Sequence, residues 1–508
     1  MERSFSRVGV IGAGAMGRGI VQLFAQSGFE VRLHDAEPEA VEAAYGYLRQ
    51  TFDRLVEKQR LGASEREAAL ARVTRVDSLE GFAGCDLVIE AIVERLDIKR
   101  AVFRALEDIV DGNAVLASNT SSLSITAIAA ACERPARVAG FHFFNPVPLM
   151  KVVEVVRGLR TDEAVVERLV AAARAAGHTP VVCQDTPGFI VNHAGRGFGT
   201  EALKALGEGV ADTVTIDRIL REQVNFAGQG FKLGPFELLD LTGLDVSHPV
   251  MESIYHQYFE EPRFRPSVIG AQRVAAGLLG RKTKAGFYRY DGEQSAPPEE
   301  PAPALGGAVR AWVGPGPTRR EVRELVSSLG AALDEADSPG PDSILVVTPL
   351  GSDATTAARG LDATRVVALD TLFPFAYRGC KRRVVMTTPA TDAAVRERAH
   401  ALFAADGARV SVLRDSAGFV AQRVVAMIVS IGTEIAQQRI ASPADIDAAV
   451  KLGLGYPLGP LAMGDALGPA RVFEVLHAMH AATDDPRYRV GPWLRRRAAL
   501  GLSLLHED

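Results

Sequence analysis

Residues 7–20 read "RVGVIGAGAMGRGI". The apolar run 7–11 has the length and texture of a buried β-strand, and glycines follow it at once in the spacing Gly-x-Gly-x-x-Gly, at Gly12, Gly14 and Gly17. On its own that spacing is common. Its surroundings give it meaning: "VQLFAQSGFE" continues as a helix, "EVRLHD" returns as a second strand, and Asp35 closes that strand. Gly12 permits the tight bend, Gly14 lets backbone N–H groups approach a pyrophosphate, and Gly17 lets the helix lie close on the sheet, with the helix N-terminus attracting the anion. Asp35 then accepts hydrogen bonds from an adenosine ribose. A 2′-phosphate would meet that carboxylate and Glu37, with no Arg or Lys among residues 36–39 to receive it, so the pattern predicts NAD rather than NADP.

Working outward, strands are expected at "LVIEA" (87–91), "AVLAS" (114–118) and "RVAGFHF" (137–143), separated by helical stretches such as "IKRAVFRALEDIV" (98–110). That alternation predicts a parallel, doubly wound α/β sheet whose ligand crevice lies beyond the carboxyl ends of the strands. Asn119, Ser121 and His142 all fall at or just past strand ends. The segment "HFFNPVPLMKVVEVV" (142–156) then sets a glutamate inside an apolar run, where a charge without a partner is costly. A strand, a turn carrying Pro146 and Pro148, and a returning strand would bring Glu154 back to His142. Oxidising an alcohol by hydride loss needs a base for the hydroxyl proton. An imidazole titrates near working pH, and a carboxylate on its other nitrogen fixes the tautomer and stabilises the imidazolium.

The chain has 508 residues, more than one hydrophobic core usually supports, so several domains are expected. A net charge of −5, with 47% hydrophobic and 23% charged residues, gives no electrostatic footprint for nucleic acid or an anionic membrane. Small-molecule chemistry is favoured. Cys85, Cys132, Cys183 and Cys380 lie far apart without Cys-x-x-Cys spacing, which argues against a metal cluster or disulfide framework and fits a reducing cytoplasm. The apolar run after Arg3 and Arg7 is too short for a signal segment, and no stretch approaches membrane length, so neither export nor anchoring is expected.

Three motifs in order, "SNTSSLSI", "GFHFFNPVPLMKVVEVV" and "DTPGFIVN", resemble the L-3-hydroxyacyl-CoA dehydrogenase family, and the resemblance covers residues 7–290 nearly end to end. It implies oxidation of the 3-hydroxyl of an acyl-CoA thioester with NAD. His142 becomes the base and Glu154 its partner; Ser121 and Asn192 become polar groups that bind the substrate hydroxyl and thioester region and orient His142. On the cofactor side Ala15, Met16, Ala91, Glu94, Lys99, Asn119, Ser121, Asn145 and Lys282 join Gly12, Gly14, Gly17 and Asp35. Lys58 matches a lysine the family uses toward the CoA moiety, and no metal is implied. Departures fall in the helical part. "GQGFKLGPFELLD" stands where relatives often read Gly-Tyr-Pro-Met-Gly-Pro, and His193 and Ala194 follow Asn192, which bears on pocket shape and chain-length preference. The alternative is a non-catalytic NAD- or CoA-binding or structural protein on the same scaffold, which the full set of Ser121, His142, Glu154 and Asn192 disfavours.

From Asp185 the pattern turns helical, and "DGEQSAPPEEPAPALGG" (291–307), with four prolines and no apolar periodicity, reads as a linker. Beyond the linker the chain repeats itself: "DSAGFVAQ" (415–422) echoes "DTPGFIVN" (185–192), and "YPLGPLAMGDALG" echoes "FKLGPFELLDLTG". Between the linker and that second helical stretch, "SILVVTP", "RVVALD" and "RRVVMTT" read as strands, but the chemistry is replaced. Asp370 aligns with His142, Val384 with Glu154 and Gln422 with Asn192, and "VGPGPT" is the nearest approach to the glycine turn. The expected organisation is a Rossmann-type NAD-binding domain with a parallel sheet (1–184), an all-α domain (185–290), a linker (291–307), a degenerate Rossmann-like segment (308–414) and a second all-α domain (415–508). This layout resembles a long bacterial subgroup of the family, acting on 3-hydroxyadipyl-CoA in phenylacetate breakdown or on 3-hydroxybutyryl-CoA, the latter a step of fatty acid β-oxidation. The two helical copies are expected to pack as an intramolecular pseudo-dimer, since single-copy members pair these domains across a two-fold, and a further homo-oligomer is compatible with that.

Overall fold

The computed structural model describes residues 5–290, 302–375 and 380–508, so most of the expected linker lies outside the described residues. Two compact units cut across chain order: residues 1–193 with 435–454 form one, and 194–434 with 455–508 form the other.

The first unit is built on eight strands: β1 (Arg7–Ile11), β2 (Glu30–His34), β3 (Val73–Arg75), β4 (Leu87–Glu90), β5 (Val115–Ser118), β6 (Val138–Phe143), β7 (Val152–Arg157) and β8 (Thr179–Gln184). Their order is β3-β2-β1-β4-β5-β6-β7-β8. Strands β1 to β6 are parallel, and β7 is the returning strand expected after the proline turn: it pairs antiparallel with β6, and β8 runs with β7. The cause is connection length. Only residues 144–151 join β6 to β7, too few for a crossover helix, so the chain turns straight back. Strands β4, β5 and β6 are buried along their whole length, as the unbroken apolar runs require. Phe24, Phe141 and Phe143 pack under them, with ring centroids of Phe141 and Phe143 4.7 Å apart.

The edge at β8 is covered from far along the chain. Gln184 N–H donates to Ile440 C=O at 2.8 Å, and the helix Pro443–Leu454 packs on β7 and β8. It approaches so closely that a Cβ on Gly453 would stand 2.9 Å from Cγ2 of Val191.

The second unit holds a smaller sheet: β9 (Arg310–Val313), β10 (Ala332–Leu333), β11 (Ile344–Val347), β12 (Val366–Leu369), β13 (Arg382–Thr387) and β14 (Arg409–Leu413), in the order β10-β9-β11-β12-β13-β14. It repeats the first scheme, with β13 antiparallel to β12 and parallel to β14. The same unit contains parts of both helical copies, and a buried polar network runs between them. Arg423 Nε lies 2.7 Å from Glu201 Oε1, Tyr488 OH donates to the same oxygen at 2.8 Å, and Arg423 Nη1 reaches Glu208 at 2.8 Å. Two short turns, Pro262–Phe264 and Pro486–Tyr488, exchange matched bonds: Arg263 donates to Arg489 C=O at 2.9 Å, and Arg487 to Arg265 C=O at 3.1 Å.

Candidate active site

The glycine turn divides its labour as the spacing predicts. Gly12 has φ +100°, and a Cβ there would lie 2.4 Å from Ala91 C=O; a Cβ on Gly17 would meet Gly12 C=O at 1.7 Å. Gly14 differs, with nothing within 4 Å of the Cβ position, so open space lies over the N-terminus of the helix Ala15–Gln26, which Ala15 and Met16 begin. Asp35 stands beside the turn, its two oxygens accepting from Ala13 N–H at 2.6 Å and Glu37 N–H at 3.0 Å. These residues fit an adenine dinucleotide: the open backbone at Gly14 would admit a pyrophosphate, and Asp35, just past the end of β2, would be the group to receive a ribose.

At the other end of the sheet, the β6–β7 register sets His142 directly opposite Glu154. Both are buried, and His142 Nδ1 lies 2.6 Å from Glu154 Oε2. The second carboxylate oxygen accepts from Ile190 N–H at 2.9 Å and Val191 N–H at 2.8 Å. Glu154 is thus hydrogen-bonded through both oxygens, and the tautomer of His142 that donates from Nδ1 to it carries its free lone pair on Nε2. The two amides come from a strained turn, where Phe189 takes φ +50° directly after Gly188 at +76°. Sequence reading missed these amides; their only signal was the Gly-Phe step in "DTPGFIVN". Phe144 and Phe189 flank the imidazole, with ring centroids 4.5 and 5.7 Å away.

The ends of β4 and β5 form a second polar cluster. Asn119 Oδ1 accepts from Phe143 N–H at 2.9 Å, tying the loop that carries Ser121 to the residue after His142. Glu94 Oε1 accepts from Thr120 Oγ1 at 2.5 Å, Ser122 Oγ at 2.8 Å and the amides of Ser121 and Ser122 at 3.2 Å. Burial works to raise the Glu94 carboxyl, but the Thr120 and Ser122 bonds and the Lys99 ammonium outweigh it and hold it below the ordinary range. Asp185 ties the cluster to the strained turn, accepting from Ser124 Oγ at 2.7 Å, Ile125 N–H at 3.0 Å and Thr126 N–H at 2.7 Å.

Known proteins share this arrangement. The model of the 3-hydroxyacyl-CoA dehydrogenase NAD binding domain matches residues 7–186, and that of the 3-hydroxyacyl-CoA dehydrogenase C-terminal domain matches 188–290 and again 418–503. The 3-hydroxyadipyl-CoA dehydrogenase of Escherichia coli is 37% identical over 97% of both chains. The chain belongs to the 3-hydroxyacyl-CoA dehydrogenase family. A probable 3-hydroxybutyryl-CoA dehydrogenase of Deinococcus radiodurans is 43% identical over 56% of this chain and 100% of its own. Among solved structures, a 3-hydroxybutyryl-CoA dehydrogenase from Escherichia coli superposes with a TM-score of 0.86 at 35% identity, covering 98% of each chain.

As a 3-hydroxyacyl-CoA dehydrogenase, the protein is an oxidoreductase acting on a CH–OH group with NAD as acceptor. Among its described residues no helix is long and apolar enough to cross a membrane, and no group of three or more His, Cys, Asp or Glu could hold a metal ion. The other residues singled out in the sequence are spread over both units. Asn192 sits in the short helix Val191–Ala194 that comes after the two amides, Asn145 is exposed in the turn between β6 and β7, and Lys58 is exposed at the end of the helix Pro38–Glu57. Lys99 is buried in the first unit, whereas Lys282 belongs to the second unit, where it pairs with Asp245.

Proposed function

We propose that His142 is the general base of the dehydrogenase and Glu154 the group that holds it. NAD, when bound, accepts the hydride from C3 of the substrate. Nε2 of His142 takes the proton of the 3-hydroxyl, because Nδ1 is committed to Glu154. Glu154 keeps that tautomer and stabilises the imidazolium, while the Ile190 and Val191 amides hold its other oxygen in place. Ser121 and Asn192 bind the hydroxyl and the thioester region, and Gly12, Gly14, Gly17 and Asp35 hold the dinucleotide. The observation that carries the reading is the buried 2.6 Å contact between His142 and Glu154 at one register position of the sheet.

The second copy contributes no second site in this reading. Asp370 stands at the position of His142, and Gln422 fills the space beside it, donating to Asp370 Oδ1 at 2.9 Å and accepting from Gly351 N–H at 2.7 Å. The two helical copies act instead as a pseudo-dimer within one chain, supported by the matched bonds of Arg263 and Arg487. Four free cysteines support a reducing compartment, the cytoplasm.

For substrate we propose a short 3-hydroxyacyl-CoA, with 3-hydroxyadipyl-CoA first, because the relative so named matches end to end. The full-length solved relative named for 3-hydroxybutyryl-CoA favours a second reading. Steady-state rates with 3-oxoadipyl-CoA against acetoacetyl-CoA decide between them: a higher kcat/KM for the dicarboxylyl substrate upholds the first, and the reverse order replaces it with the second.

A further inference from the structure

The helix Pro443–Leu454 belongs to the second copy, yet within the first unit it lies against β7 and β8, behind the turn that holds Glu154. Pro443, Ile446, Ala449 and Val450 are buried there, and the Gln184 bond to Ile440 C=O fixes the chain just before the helix. Gly453 stands near the end of that helix. Its φ is not positive, so the backbone does not ask for glycine, and alanine would form helix more readily. The reason for it is space. A Cβ at 453 would lie 2.9 Å from Cγ2 and 3.0 Å from Cγ1 of Val191, and 3.6 Å from Cγ1 of Val152 on β7. A β-branched side chain is stiff at χ1, and with both methyl groups in the way a rotation opens no gap, so Val191 itself would have to move. Its N–H is one of the two donors to Glu154 Oε1.

The second unit supplies the contrast. "TIDRILRE" (215–222) and "DIDAAVKL" (445–452) correspond in the two copies, so Gln223 takes the place of Gly453, and Ala421 in "DSAGFVAQ" takes that of Val191. The helix Thr213–Glu222, which ends at Gln223, lies against β13 as Pro443–Leu454 lies against β7. Gln223 is buried beside Asp370, the residue at the His142 position. A branched turn residue facing a bare helix is thus exchanged for a small turn residue and a long helix side chain. The two positions vary together in volume, and the bare helix accompanies the carboxylate.

We infer that Gly453 is a positioning residue for the hydride step: it lets a helix of the second copy close against Val191 and so keeps the Ile190 and Val191 amides on Glu154. The inference rests on the reading of His142 as the base and Glu154 as its holder. A shift of about 1 Å in such a frame can cost about 10²-fold in rate without removing any catalytic group, and one methyl group should cost about tenfold.

The test uses the full-length enzyme as Gly453→Ala, as Val191→Ala and as the double variant, in which volume added to the helix is taken from the turn. We expect Gly453→Ala to lower kcat about tenfold, with KM for acetoacetyl-CoA and Kd for NADH within threefold, and Val191→Ala, which leaves a gap, to lower it about fivefold. The double variant should return to within about twofold of the wild type, the mark of two residues acting through one contact. Wild-type kcat in Gly453→Ala, with or without a lower urea midpoint, would overturn the inference and leave the contact purely structural. A parallel loss of NADH affinity would overturn it in favour of a general disturbance of the unit. If Gly453→Ala aggregates, the other two variants decide: a double variant faster than Val191→Ala upholds the inference, and one no faster overturns it. An active His142→Ala enzyme, assayed alongside, would sink the base reading and this inference with it, whereas an inactive one beside uncoupled Gly453 and Val191 variants would sink this inference alone.

Discussion

The chain makes the same turn twice, and in the first copy its amides meet a buried carboxylate. At Asp185–Asn192 and at Asp415–Gln422 an aspartate caps a neighbouring loop, a glycine takes positive φ, and a phenylalanine follows it in the left-handed region, at φ +50° for Phe189 and +48° for Phe419. Each such phenylalanine costs about 1–2 kcal/mol of backbone strain. In the first copy the strain has a use, because the amides it aims meet Glu154. In the second copy Val384 stands where that carboxylate would be, yet the turn persists, because Asp415 still accepts from Ala354 and Thr355 and Phe419 is still buried. Bonds that serve the frame outlast bonds that serve the reaction. A buried ionisable pair with no reaction to support is a cost that selection can remove, whereas a capped, packed turn is not.

The sharpest way to break this contrast is to mutate both copies at the same place. Glu154→Gln keeps an oxygen for the Ile190 and Val191 amides but presents an amide N–H to His142 Nδ1, which then has to accept and forces the proton onto Nε2. We expect kcat to fall about 10²–10⁴-fold, the usual worth of general acid–base catalysis, with NADH affinity unchanged. Asp370→Asn in the second copy should leave kcat within twofold. An Asp370 variant with a comparable loss would show that the second copy is not chemically silent. Next in size is the link between the helical copies. Arg423→Met takes from buried Glu201 its nearer charge partner and leaves only Arg487 Nη1 at 3.5 Å, and should destabilise the second unit by about 3 kcal/mol in urea unfolding, whereas Lys58→Met at the surface should fall within about 0.5 kcal/mol.

The cofactor turn offers a smaller effect. Asp35 should give NADH at least a tenfold advantage over NADPH in kcat/KM, and equal use of both would contradict its role. The smallest effect expected is one of pH. Burial raises the Asp217 carboxyl to about 7, against the pull of the Phe236 amide and the Tyr288 hydroxyl. A folded value above the unfolded one of about 3.9 means that the contribution to stability is whole at low pH and is lost as pH rises through about 7. The urea midpoint should therefore fall between about pH 4 and about pH 7 and level off above that, and Asp217→Asn should flatten that slope.

Much of the working site was legible in the residues themselves. A glutamate inside an apolar run asks for a partner, and the spacing from His142 to Glu154 across a short turn left one geometry for them. The glycine turn was legible because each glycine answers a different steric demand. Strand β8 and the amides of Ile190 and Val191 were not, since "TPVVCQ" is short and backbone donors leave no mark in composition. The burial of Lys99, a cofactor-side residue in the resemblance, was hidden for a related reason: its carboxylate partners, Glu90 and Glu94, lie at and just beyond the end of β4, and only the fold sets them against its helix. Hydropathy also says that a helix has an apolar face without saying which sheet that face covers, so the docking of Pro443–Leu454 on β7 and β8 was out of reach.

That docking has a consequence for how the gene can change. Gly453 presses on Val191, and the Val191 amide is one of the two that hold Glu154. A side chain as small as alanine at position 453 would therefore press on the turn that holds Glu154, although it lies in the second copy. The second half is thereby tied to the first: a frameshift anywhere between the two copies takes away the helix that covers Val191. Drift in residues 443–454 should be as slow as drift in the strands β7 and β8 that they cover.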